Sequence, residues 1–340
     1  MMNSFSVRPF LFAVALASMV AAGCGTSGMG ASGEGASSVP PASPAGVDPA
    51  GHEVGAPRVG ELAGPSWGAL PGTEDAHCFP VDRLPAPLQA RADTVLARAL
   101  DNEALFTLWE PLKPMSSVHL QRTSLARVGA REGDRDQVSA DHPDLEALRE
   151  LQEVVRHLHC GALTLTVIPY RATQDSTRSV QVTVVHRGRM DQVLERDLPF
   201  WGQWGLVPGA SPHTVGTVVE FEAPLDRFRG YGYLFGYPEH AVTFFTEAGR
   251  EMQETGEFVD RDFFQIPVHS SESGRFVYAV PPGHEPLPED EAIRSEAARI
   301  LEVYRAWRPR FENDDGTLRA VEMLRAWFED GGGGVDPGRP

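Results

Sequence analysis

Glycine and proline are gathered at the two ends of this chain, and that placement decides how much of it can build a core. Of 340 residues, 34 are Gly and 28 are Pro. Residues 24–75 are a run rich in Gly, Ala, Ser and Pro with no Leu, Ile or aromatic side chain before Leu62 and Trp67. Such a segment cannot bury enough apolar surface to offset the entropy of ordering its backbone, so it is expected to be a flexible tether. Treated as about fifty flexible residues, it has a root-mean-square span on the order of 40 Å. Residues 331–340 are expected to form an unstructured tail for the same reason. What remains, 76–330, suits one large globular domain. The chain as a whole is 41% hydrophobic and 23% charged, which supplies enough apolar material for a core. No internal repeat of fixed period is present.

Ahead of the tether, residues 1–9 are a short polar start carrying Arg8, and 10–22 are an apolar run too short to span a bilayer as a stable helix. This is the pattern of a signal peptide, assigned to residues 1–23. It ends in Ala21-Ala22-Gly23-Cys24, which resembles the lipobox of bacterial lipoproteins, although Ala21 stands where that family most often has Leu. The resemblance covers only the first 24 residues. It implies acylation of Cys24 and attachment to a lipid bilayer, with plain secretory cleavage near Ala22 as the alternative. Gly25 follows the cysteine rather than the Asp that resembles an inner-membrane retention signal, so the outer membrane is the expected address. Several acyl chains, at about 0.8 kcal/mol per buried CH₂, are sufficient as an anchor.

Charge removes two classes of partner. With 30 basic and 47 acidic residues the net charge is -17, which argues against a general nucleic-acid binder and against a polybasic membrane patch. Three cysteines are present. If Cys24 carries lipid, Cys78 and Cys160 remain as a pair in an oxidising compartment and are expected to form a disulfide. The competing reading is a metal site built from His77, Cys78, His157, His159 and Cys160, but His-x-His-Cys is not a zinc-specifying spacing. No cofactor is implied.

Periodicity predicts an α+β fold, an antiparallel sheet built from two hairpins with flanking helices. Leu88, Ala92, Val95, Leu96, Ala99 and Leu100 fall at helical spacing after two prolines. Asp141 is expected to cap a second helix with a stripe from Leu145 to Leu158, and Gly161 to stop it. Segments 162–170 and 179–187, rich in Val, Ile and Thr, predict one hairpin across a polar connection, and 263–269 with 275–280 predict another. Ile293, Ala297, Ile300, Leu301, Tyr304 and Trp307 mark one terminal helix; Leu318, Val321, Leu324 and Phe328 mark the other, with a turn at Asn313-Asp314-Asp315-Gly316 between them.

Phosphate loops, the serine-hydrolase elbow and the His-Glu-x-x-His pair are absent from the sequence. Two segments remain as candidates. Lys113, the only lysine among 30 basic residues, lies near Ser116, Ser117 and His119, so a Ser/Lys or Ser/His nucleophile is conceivable; the simpler alternative is a proline-rigid loop. The stretch 227–245 alternates glycines with aromatics and reads as a loop that Pro238-Glu239 turn into a helix, with Arg229, Tyr231, Tyr233, Tyr237, Glu239 and His240, together with Trp201 and Trp204, lining a groove for a polar ligand. The alternative is that these aromatics are core. His186, His213, His269 and His284 read as isolated polar residues, and Glu220 with Glu222 share a face only if that stretch is a strand. Two functions are therefore expected: a non-catalytic, outer-membrane-anchored lipoprotein binding a polar small molecule or an envelope protein, or an envelope hydrolase using Lys113, Ser116, Ser117, His119, Glu239 and His240.

Overall fold

The computed structural model describes residues 78–123, 140–174 and 177–331. The signal peptide, Cys24, the tether, His77 and most of the C-terminal tail lie outside these residues.

The domain opens with α1 (Ala86–Leu100), where Pro85 and Pro87 preset the entry and Ala92, Val95, Leu96, Ala99 and Leu100 form the buried stripe. A wholly buried turn, α2 (Leu105–Leu108), leads to strand β1 (Met115–Thr123). Helix α3 (Pro143–Arg156) follows, capped by His142, whose ring accepts from the Asp144 amide, rather than by Asp141. Gly161 does not stop this helix. It lies beyond β2 (His159–Cys160) at φ 55, the left-handed conformation that the tight turn into β3 (Leu163–Gln174) requires.

β3 and β4 (Thr177–His186) form the first expected hairpin, and they reach further into the polar connection than periodicity suggests. The ladder runs on through Thr173↔Arg178 because backbone pairing does not depend on apolar side chains. The sheet order is β1-β4-β3-β2, entirely antiparallel. β1 was expected as loop; its addition makes β4 central. Val182 and Val184 enter the larger core and Val185 the smaller one, as the two-residue strand period requires of a sheet covered on both faces. The second hairpin, β5 (Asp262–Val268) with β6 (Ser271–Val280), is present but forms a separate two-stranded sheet.

Between the hairpins the chain is helical: α4 (Arg187–Arg196), α5 (Leu198–Trp201), α6 (Pro212–Phe221), α7 (Pro224–Leu234) and α8 (Glu239–Thr255). The two terminal helices are α9 (Pro288–Trp307) and α10 (Ala320–Glu329), joined through the expected turn, where Gly316 donates to the Asn313 carbonyl at 2.9 Å. The larger core joins α1, α2, β5, β6, α9 and α10 to one sheet face; the smaller joins α4 to α8 to the other. The fold is thus α+β, as expected.

Cys78 and Cys160 form a disulfide with Cα atoms 4.4 Å apart. It fastens the first described residue to the outer strand β2. The neighbouring backbone is held as well, since the Phe79 amide donates to the His159 carbonyl at 2.8 Å and Arg325 of α10 donates to the Cys78 and Phe79 carbonyls at 3.0 and 2.7 Å. Among the described residues no helix is long and apolar enough to cross a membrane.

Candidate functional site

The lysine segment does not assemble a nucleophile. Lys113 is 0% exposed, and its Nζ donates to Glu103 Oε2 at 2.8 Å while lying 4.3 Å from the Phe276 ring centroid. Burial lowers its pKa and the Glu103 carboxylate opposes that shift. Glu103 also accepts from the Ser117 amide at 3.2 Å, and the Ser116 hydroxyl lies 2.9 Å from Thr107 Oγ1. These bonds tie α2, β1 and β6 together. His119 belongs to a different contact, accepting from Arg98 at 2.5 Å; burial and then the guanidinium charge push its pKa down. Lys113 and His119 are therefore each engaged by a structural partner rather than by one another.

The expected groove is also not a loop. Residues 224–234 are α7, and within it Gly230 and Gly232 sit against neighbouring helices: a Cβ on Gly232 would stand 2.7 Å from Val242 Cγ2, and one on Gly230 2.9 Å from Val219 Cγ2. The glycines bring helices together rather than a ligand to backbone. Tyr231, Tyr233 and Trp201 are buried in the smaller core, and the Tyr231 hydroxyl donates to buried Glu220 at 2.7 Å. Tyr237 packs against Tyr278 at 5.5 Å, and Trp204 against Phe200 at 5.0 Å. Glu239, on the exposed side of α8, keeps full solvent access, and Arg229, His240, Tyr237 and Trp204 are half-buried. Glu220 ends inside α6 and Glu222 lies beyond it, so the two carboxylates share no face.

One member of that set, His240, takes part in a different constellation. Gly236, at φ 70, and Pro238 turn the chain into α8, placing His240 as its second residue. A turn at 281–284, with Gly283 at φ 71 and its amide held by Asp262 at 2.7 Å, presents His284. Asp290 is the third residue of α9, where a carboxylate caps the helix: its Oδ2 accepts from the Leu287 amide at 2.8 Å. His240 Nε2 lies 3.0 Å from Asp290 Oδ1, and His284 Nε2 2.9 Å from Oδ2. Tyr278 of β6 donates to Oδ1 at 2.5 Å. The two imidazoles stack with centroids 5.2 Å apart and planes 19° apart.

The Asp290 side chain is 0% exposed, whereas those of His240 and His284 are 22% and 12% exposed, so the cluster is closed beneath and open on its imidazole side. Burial alone would push the Asp290 carboxyl up, but hydrogen bonds from Tyr278, His284 and the Leu287 amide, together with the His240 charge, outweigh it and hold its pKa at about 2. The carboxylate is thus ionised at neutral pH. Among the described residues, His240, His284 and Asp290 are the one group of three His, Cys, Asp or Glu side chains placed to hold a metal ion, with ligand atoms within 4.8 Å of one another.

The sequence separates these residues: His240 falls in the groove and hydrolase sets, His284 reads as an isolated polar residue, and Asp290 and Tyr278 belong to no expected site. The available signal was Leu287-Pro288-Glu289-Asp290, a helix start that fixes a carboxylate six residues after a histidine. The alternative cysteine-histidine set is not assembled, because both thiols are consumed in the disulfide. His157 Nδ1 lies 2.9 Å from the Glu153 carbonyl, and His77 lies outside the described residues. His186 caps α4, accepting from the Arg189 amide at 3.2 Å, while His213 is 3.3 Å from Thr166 and His269 packs on Tyr304. Compared with protein-family models, curated proteins and solved structures, the chain matches none of them.

Proposed function

We propose that this is an exported lipoprotein, anchored to the outer membrane through acylated Cys24, whose acidic α+β domain stands off the bilayer on a tether and binds a polar small molecule or another envelope protein without catalysing a reaction. The observation that carries the reading is the Cys78–Cys160 disulfide, since such bonds persist in oxidising compartments and the sequence ahead of the domain resembles an export signal. The engagement of Lys113 by Glu103 and of His119 by Arg98 favours binding over the hydrolase, which drew its nucleophile from that segment. The test is metabolic labelling with palmitate of the full chain and its Cys24→Ala variant in a Gram-negative host, followed by membrane fractionation. Label and outer-membrane partition that depend on Cys24 are expected; an unlabelled chain, or label that survives the substitution, refutes the anchor.

A further inference from the structure

We propose that His240 Nε2, His284 Nε2 and the Asp290 carboxylate form a binding site for one divalent transition-metal ion of the zinc class, with at least one coordination position open to solvent. This goes beyond the envelope reading and does not depend on it.

Donor chemistry supports the assignment first. Two imidazoles and a carboxylate make a borderline-soft set, matched to zinc and its first-row neighbours rather than to calcium or magnesium, which take mainly oxygen. Both histidines point the same ring atom at the same carboxylate, from different elements, α8 and the loop before α9. A tetrahedral site with bonds of about 2.0–2.1 Å has donor–donor edges of about 3.3 Å. The N···O separations here are 3.0 and 2.9 Å, each to a different Asp290 oxygen, so those edges need open by only a few tenths of an ångström, while the two Nε2 atoms, within 4.8 Å of one another, adjust by rotation of the imidazoles. The partly exposed imidazoles can supply that movement while Asp290 stays fixed.

The supporting shell is also in place. Metal-bound carboxylates are themselves hydrogen-bonded, and Asp290 already accepts from the Tyr278 hydroxyl on one oxygen and the Leu287 amide on the other. Tyr278 is held in turn by stacking on Phe264 at 5.1 Å. In the metal-free arrangement each Nε2 approaches the carboxylate as a hydrogen-bond donor. An incoming ion takes the Nε2 lone pair once its proton leaves, to Nδ1 in a neutral imidazole or to solvent from a protonated one. Three protein ligands leave a fourth position for water or a polar ligand, on the side where the imidazoles meet solvent.

The test is equilibrium dialysis of zinc alone, and optical titration with cobalt(II) alone, on the chelator-stripped full chain in detergent. One zinc per chain is expected, with a cobalt(II) visible absorption typical of four or five ligands. His240→Ala and His284→Ala, which leave the Asp290 cap intact, should each weaken binding at least tenfold, while His157→Ala leaves it unchanged. The absence of stoichiometric zinc, or binding that survives both substitutions, overturns the proposal. If the alanine variants do not fold, the wild-type chain still decides. Zinc should then protect His240 and His284 from carbethoxylation, read by peptide mass spectrometry, and unprotected histidines in the presence of zinc overturn it. Cys24 fractionation is a separate readout, so failure here is distinguishable from failure of the envelope reading.

Discussion

Gly232→Ala sets two effects of known size against each other. In a helix interior, alanine is favoured over glycine by about 1 kcal/mol. At this position the new Cβ meets Val242 Cγ2 at 2.7 Å, Cγ1 at 3.2 Å and Cβ at 3.4 Å. Ordinary carbon contacts lie near 3.5–4.0 Å, so α7 and α8 must separate by up to about 1 Å or Val242 must rotate. Rotation is costly because a β-branched side chain in a helix has one strongly preferred rotamer. Separation loosens contacts of a fully buried valine, and overpacking of this kind costs about 1–3 kcal/mol, occasionally more. The steric cost wins, and a net loss of up to about 2 kcal/mol is expected. At about 2–4 °C per kcal/mol for a domain of this size, Tm should fall by up to roughly 8 °C. Removing the obstructing methyls with Val242→Ala makes room for the new Cβ, so the double variant should be more stable than the two single losses add up to, by 1 kcal/mol or more. Calorimetry of the four proteins completes the cycle. A Gly232→Ala protein that melts higher than wild type, or a coupling near zero, would refute the close-approach role of this glycine.

Lys113→Met leaves Glu103 without its cation in a largely closed site and should cost about 3 kcal/mol in urea denaturation, whereas Lys113→Met with Glu103→Gln should return to within about 1 kcal/mol of wild type. Strictly additive losses would count against the pair. Replacing both Cys78 and Cys160 by Ala releases an 82-residue separation and should lower stability by up to about 4.5 kcal/mol on the loop-entropy account, measured against the oxidised domain. Burial raises the Glu220 pKa against the opposing bonds from Tyr231 and Arg171. Between the ordinary value near 4.5 and that raised value the folded chain binds more protons than the unfolded one, so this group's contribution to stability falls as pH rises through that window. Glu220→Gln removes the titrating group, while its single carbonyl oxygen still accepts from the Arg171 amide and its Nε2 can donate to the Tyr231 hydroxyl, and it should flatten that fall; an unchanged pH profile would show that Glu220 is not its source.

Legibility followed the distance over which each signal acts. Helix α1, the two hairpins and the terminal helices were readable because three-to-four and two-residue periods are local consequences of which face is buried. The helical run 187–255 was not, apart from the start of α8 at Pro238-Glu239. Its α7 carries two glycines and three aromatics, a composition with poor helix propensity that only packing against α6 and α8 can stabilise. The same glycines that suggested an open loop are there because two helix axes come too close for a Cβ. Lys113 misled for a related reason: its rarity pointed to special chemistry, while its pairing with Glu103 answers a demand of the interior, a cation against a carboxylate buried among aromatic rings.

The histidine–aspartate cluster lies at the far end of the same scale. Its members come from β6, α8, a turn and α9, and the separation of 50 residues between His240 and Asp290 carries no periodic mark. What the chain specifies locally is each half of the arrangement. A glycine at positive φ delivers His284, a capping carboxylate is fixed at the third residue of α9, and a proline-initiated helix presents His240. Their convergence depends on α8 packing against β6, which sets His240 and Tyr278 at one carboxylate. A carboxylate needed only to cap α9 would be satisfied by the Leu287 amide. Tyr278 and two stacked imidazoles turned onto the same group are more than capping requires, and that surplus of convergent donors is the physical ground for looking there for a bound metal.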